Sequence, residues 1–171
     1  MSTELKFREA VTALLMTQPF FGQLLLKLKH IENPNLVPRT MGVSKTELHY
    51  HPELIENLDR DELMFILGHE VLHKAWDQIE RATHYVESKI GPDGKPLDFR
   101  LFNCAMDFVV NDALKEQGVG KIPSIGGCFD PRFPHTMTPE EVYCILKKEQ
   151  EEAQAKGKPD PSAGMDSMDD H

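Results

Sequence analysis

The chain has 171 residues, of which 40% are hydrophobic, and a formal net charge of −9. That is room for one domain and a tail, with a core large enough to fold without disulfide help. The acidic balance argues against non-specific binding to nucleic acid or to an anionic membrane surface.

Apolar positions recur at helical spacing from residue 4 to about 29 (Leu5, Val11, Leu14, Leu15, then Leu24, Leu25 and Leu28), and Pro19 divides them into two helices meeting at QPFFG. HIENPNLVPR, residues 30–39, holds two prolines and reads as a loop. TMGV and ELHYH, separated by SKT, read as the two short strands of a hairpin. Residues 52–59 suit a short helical turn. Asp59 or Asp61 then caps a long helix expected to run to about Tyr85. GPDGKP at 91–96 is a turn, and residues 98–117 form another helix ended by Gly118. Residues 118–136 read as a long loop. Thr138-Pro139-Glu140-Glu141 opens the last helix with a Thr cap, Pro at the first helical position and Glu three residues after the Thr. The domain is expected over residues 1–150. Residues 151–171, rich in Lys, Gly, Pro, Asp and Ser, are expected to be a disordered acidic tail.

The three cysteines (Cys104, Cys128 and Cys144) include no C-x-x-C pair, which suits reduced thiols and a cytoplasmic location. Lys6 and Arg8 are followed only by VTALLM, too short for a secretory signal, and no apolar run approaches a membrane span.

The stretch FILGHEVLHKAW places His69 and His73 four residues apart, one turn along one helix face. Both can offer an imidazole nitrogen to one ion. Glu70 lies about 100° around the helix, placed to reach a water on that ion rather than the ion itself. This is H-E-x-x-H, the zinc-hydrolase arrangement, with Glu70 as general base. The competing reading is a pair of buried, hydrogen-bonded histidines. A catalytic zinc takes three protein ligands and keeps one open position. Ile79 stands where a third histidine of the metzincin pattern would be, and Asp77 sits a turn too far along a straight helix. His84 qualifies only if the helix breaks before it. The favoured third ligand is Asp107, in FRLFNCAMDFVVNDAL, where Asn103, Asp107 and Asn111 recur every four residues among apolar neighbours. The competing reading there is a solvated stripe beginning at Arg100. Asp112 points elsewhere and is expected to tune or cap. His49 and His51 alternate on the second strand and face the same side; they are candidates to flank the site, though surface histidines on an edge strand are the commoner case. His135 and Tyr143 are candidate oxyanion donors whose commoner role is structural.

From QPFFGQLL through LHYHPELIENL, ELMFILGHEVLHKAW and NCAMDFVVND to FDPRFPHTMTPEEVYCIL, the chain resembles a known domain over roughly residues 8–147. It is the domain described as a putative metallopeptidase, found N-terminal to a von Willebrand factor A-like domain in bacterial and phage proteins. The resemblance implies a zincin-like α+β fold, mostly helical, with a small β-hairpin or sheet beside the active-site helix. It implies His69, His73 and Asp107 as ligands of Zn2+ and Glu70 as general base. Members often carry another histidine about nine residues after the first; this chain has Gln78 there. The expected function is a zinc-dependent metallopeptidase acting on peptide or protein substrates, held by strand addition to an edge strand, TMGV or ELHYH. The alternative is a non-catalytic metal-binding module with a regulatory or protein-interaction role.

Overall fold

The computed structural model describes residues 1–165. It is an α+β fold, mostly helical with one three-stranded sheet, and its chain forms two compact units. Among the described residues, the first unit is Met1–Asp77 with Leu114–Gly126, and the second is Gln78–Ala113 with residues 127–165.

The first unit opens with α1 (Thr3–Thr17), capped by the Ser2 hydroxyl, and α2 (Pro19–Leu26), which has Pro at its first position. The two helices approach closely at Gly22, where a Cβ would fall 2.4 Å from Leu15 Cα. The expected hairpin is present as β2 (Met41–Val43) and β3 (Glu47–Tyr50), paired antiparallel. Residues 30–39 are not all loop. Lys29–Glu32 forms β1, which pairs parallel with β3 from Lys29↔Glu47 to Glu32↔Tyr50. The sheet order is β1-β3-β2, so ELHY is the central strand rather than an edge. Leu48 and Tyr50 are buried, and they alternate with Glu47 and the half-buried His49. A short α3 (Pro52–Asn57) follows, then α4 (Arg60–Ala75), which packs against α1, α2 and β2. Lys74 at its end donates to the Lys45 carbonyl in the β2–β3 turn.

The start of α4 is fastened several times over. The Asp59 side chain accepts from the Glu62 amide, and the Glu62 carboxylate accepts from the Asp59 amide, a capping box. The other Glu62 oxygen accepts from the Ser124 amide at 2.7 Å. Lys121 adds a backbone bond to the Asp61 carbonyl and an ion pair to Asp59. This strap crosses the helix at Gly120 (φ +61), where a Cβ would meet Asp61 O at 2.3 Å and Phe65 N at 2.7 Å. Only glycine meets both demands.

The helix expected to reach Tyr85 ends instead at Ala75. Asp77 takes a left-handed conformation (φ 53), donates its amide to the Lys74 carbonyl, and closes the helix as glycine commonly does. The second unit then begins with α5 (Gln78–Ser88). Next come the 91–96 turn, closed by an isolated bridge between Ile90 and Pro96, and α6 (Phe99–Glu116), of which the residues up to Ala113 belong here. The Asp98 carboxylate accepts from the Leu101 amide at the start of α6. α7 (Pro139–Ala155) starts with the expected Thr138–Glu141 capping box. Tyr85, Phe102 and Tyr143 stack edge to face in sequence, and Arg81 on α5 grips Glu140 on α7 through two hydrogen bonds.

The boundary expected at residue 150 falls inside α7, and residues 156–165 are held rather than loose. The Asp160 carboxylate accepts from the Ser162 amide and hydroxyl, and Gln150 donates to its other oxygen. Arg100 donates to the Ser162 and Met165 carbonyls, and Ser162 is buried. Polar bonds rather than apolar burial fix this segment, so composition gave no sign of it. The rest of the expected tail, 166–171, lies outside the described residues. Among those described, no helix is long and apolar enough to cross a membrane.

Gly120→Ala combines a forbidden backbone region with a clash against main chain, so we expect a loss of at least about 2 kcal/mol. Differential scanning calorimetry should show the midpoint falling by at least about 4 °C. A second prediction concerns acid. Hydrogen bonds from the Asp59 and then the Ser124 amide hold the Glu62 carboxyl below its ordinary value. A carboxylate whose pKa is lowered by folding stabilises the protein above its unfolded value, about 4.3, and loses that contribution as pH falls through the folded value. Chemical denaturation of Glu62→Gln across pH 6 to pH 3 should therefore show lower stability at pH 6 and a shallower decline below about pH 4.

Candidate functional site

Every residue of α4 from Glu62 to His73 is buried. The helix presents apolar side chains in all directions (Leu63, Met64, Phe65, Ile66, Leu67, Val71 and Leu72), so it is an interior helix. Gly68 lets Leu114 and Val119 approach: a Cβ there would lie 3.0 Å and 3.1 Å from their methyl carbons. Within this apolar cylinder sit three ionisable groups, His69, Glu70 and His73, each with no exposed surface.

The two imidazoles face each other across one helical turn. Their Nε2 atoms are 2.8 Å apart and the rings meet edge to face, with centroids 4.4 Å apart. That is hydrogen-bond distance, with the donor and acceptor roles set by the tautomers of the two rings. Two imidazole ligands of one tetrahedral zinc, each about 2.0–2.1 Å from the ion, have nitrogens roughly 3.3 Å apart. The observed gap is within about half an ångström of that, and rotation of the rings covers the difference. The pair therefore fits a divalent cation in spacing and in donor chemistry. Glu70 occupies the adjoining face of the same turn.

In the second unit, α6 carries Asn103, Asp107 and Asn111 one turn apart, all buried, with Asp107 and Asn111 fully so. The solvated-stripe reading is thereby excluded. Asn111 donates its amide to the Cys128 carbonyl at 3.1 Å. His69 and His73 in the first unit each offer an imidazole nitrogen, and Asp107 in the second offers a carboxylate oxygen, all three on fully buried side chains.

The other histidines and their neighbours do different work. His51 is not on the strand with His49. It is the N-cap of α3, its Nδ1 accepting from the Glu53 amide at 3.2 Å. That fixes the tautomer, and Nε2 donates to the Pro34 carbonyl. His49 pairs with Glu47 on the same strand face. The helix does break before His84, as that alternative required, but His84 is exposed on α5 beside Tyr85. Asp77 forms the break itself. Gln78 is buried at the start of α5. Asp112 accepts from both the backbone amide and Nδ1 of His135, which is a capping role. The Tyr143 hydroxyl accepts from the Asp98 amide at 3.0 Å, and burial pushes its pKa up. That hydroxyl lies where a Cβ on Gly91 would come within 2.8 Å, so it is seated in the turn at residues 91–98. Cys104 and Cys128 are buried and Cys144 is half-buried, and all three are free thiols.

His51→Ala removes a helix cap, and Tyr143→Phe leaves the Asp98 amide without its acceptor. Each should cost about 1 kcal/mol in urea denaturation. Neither should change the metal content of the purified protein, measured by inductively coupled plasma mass spectrometry; a loss of metal in either would move that residue into the site.

A family model described as "Putative metallopeptidase domain" matches residues 2–169. No curated protein and no solved structure matches the chain.

Proposed function

Since the chain belongs to the family of putative metallopeptidase domains, we propose that it is a zinc-dependent peptidase with His69, His73 and Asp107 as ligands and Glu70 as general base. The observation that carries this reading is the histidine pair, buried in an interior helix with nitrogens 2.8 Å apart and Glu70 on the adjoining face. Two neutral imidazoles and one carboxylate would hold a divalent ion and leave it net positive charge. A zinc ion held there supplies Lewis acidity, lowering the pKa of a water toward about 7 and polarising a substrate carbonyl.

The chain's own groups do the rest. The Glu70 carboxylate takes a proton from the attacking water as its oxygen bonds to the carbonyl carbon. When the carbon–nitrogen bond breaks, Glu70 hands that proton to the leaving amine. A fully buried carboxylate, excluded from bulk water, keeps the proton in the site between the two steps. The substrate is an extended peptide. With β3 in the centre of the sheet, β2 is the hairpin strand with an open edge, and β2 packs against α4. A peptide added to that edge would run alongside the histidine-bearing helix.

Nitrogen and oxygen donors also suit manganese, iron and nickel, so the test measures all of them. Mass spectrometry should find about one zinc per wild-type chain and strongly reduced zinc in Asp107→Ala. Glu70→Gln should keep its zinc and lose casein hydrolysis by at least about 100-fold, the usual scale of a general base. Cleavage by Glu70→Gln at the wild-type rate would remove Glu70 from the mechanism. Wild-type zinc content in Asp107→Ala would remove Asp107 from the ligand set.

A further inference from the structure

Asn103 is 4% exposed, and among the described residues its Oδ1 has no hydrogen-bond partner. A buried amide oxygen left in this state costs stability, and such groups in folded proteins are few. Other buried polar groups nearby on α6 and α7 have protein partners: Asn111 bonds the Cys128 carbonyl, Gln150 bonds Asp160, and Tyr143 bonds the Asp98 amide. Asn103 stands one helical turn before Asp107 on α6, on the same face and about 6 Å along the axis.

We infer that Asn103 is a substrate-binding residue, its carboxamide pairing with the main chain of a peptide beside Asp107. This rests on the peptidase reading above. A carboxamide offers an acceptor and a donor side by side. In an extended chain, the N–H and C=O of one residue point the same way. One asparagine therefore meets both groups of a single residue, Oδ1 accepting and Nδ2 donating, whatever the side chains of the substrate. An amide suits this place for two further reasons. It carries no charge, so it does not compete with Asp107 for a cation. It also gives the substrate's polar backbone a partner inside an apolar setting, where two hydrogen bonds discriminate strongly. The stability forgone in the empty protein is recovered on binding.

The test compares wild type with Asn103→Leu, which is nearly isosteric, and Asn103→Ser, which serves if the leucine cannot be seated. Each is measured for zinc content, melting temperature and kinetics on fluorescein-labelled casein. Binding of a tryptic casein digest is measured in the Glu70→Gln background, where turnover does not interfere. The expected result is zinc at wild-type stoichiometry and kcat/KM lower by roughly 10- to 100-fold, the range two neutral hydrogen bonds supply. Most of the loss should fall on KM, with peptide binding weakened in parallel. The leucine variant should melt at or above the wild-type temperature, because an apolar group replaces a polar one that lacked a partner. A lower melting temperature with KM unchanged would make Asn103 structural, and loss of zinc would make it part of the metal shell; either overturns the inference. If wild-type protein loaded with zinc cleaves nothing, the peptidase reading fails, and the binding measurement still decides Asn103. Equal peptide affinity with and without the asparagine would overturn its role.

Discussion

The fold is organised around one costly requirement: a helix buried on every side that carries two imidazoles and a carboxylate. Burying such groups without partners is unfavourable by several kcal/mol each. Most of the first unit serves to keep that helix where it is. α1, α2 and β2 pack on it. Its N-terminus is tied by the Asp59–Glu62 box and by the 120–124 strap, and its C-terminus by Lys74 and the left-handed Asp77. A helix pinned at both ends holds His69 and His73 in fixed relation, which a ligand pair needs and which a core helix with leucines there would not.

The second unit solves a different problem, that of keeping a polar stripe inside α6. Its caps and clamps are themselves polar: Asp98 with Tyr143 and Leu101, Asp112 with His135, Arg100 with Ser162. Aromatic rings from α5, α6 and α7 fill the space between them. The same helix thus carries Asn111, which bonds the Cys128 carbonyl, and Asn103, whose carbonyl oxygen has no hydrogen-bond partner among the described residues.

What the sequence made legible was local. The cap at Asp59 or Asp61, the capping box at Thr138, the β2–β3 hairpin, the glycine ending α6 and the apolar wrapping of the H-E-x-x-H stretch all depend on residues within a few positions of one another. What it concealed was non-local or lacked the usual markers. β1, sequence KHIE, has no apolar alternation and exists through its ladder with β3, fifteen or more residues away. The break after α4 occurs at Trp76-Asp77, where neither glycine nor proline announces it. The turn at 158–165 is fixed by Arg100, more than sixty residues earlier, in a stretch whose composition suggested disorder. The division into two compact units depends on which distant segments return to which core, and periodicity carries no information about that. Within the candidate site, burial of Asp107 follows from the absence of Lys, Glu and Gln on residues 101–114, whereas the unmet Asn103 oxygen has no sequence signature at all.

The histidines show how structure separates a role from a residue type. His51 places one nitrogen on a backbone amide and the other on a carbonyl, so its tautomer is settled by the chain and it acts as part of the scaffold. His30 likewise bonds the Leu25 carbonyl. His69 and His73 instead turn a nitrogen toward each other. The scaffold histidines need nothing further from solution. The pair on α4 instead offers two buried nitrogens at a spacing that suits one divalent cation, which the motif alone does not show.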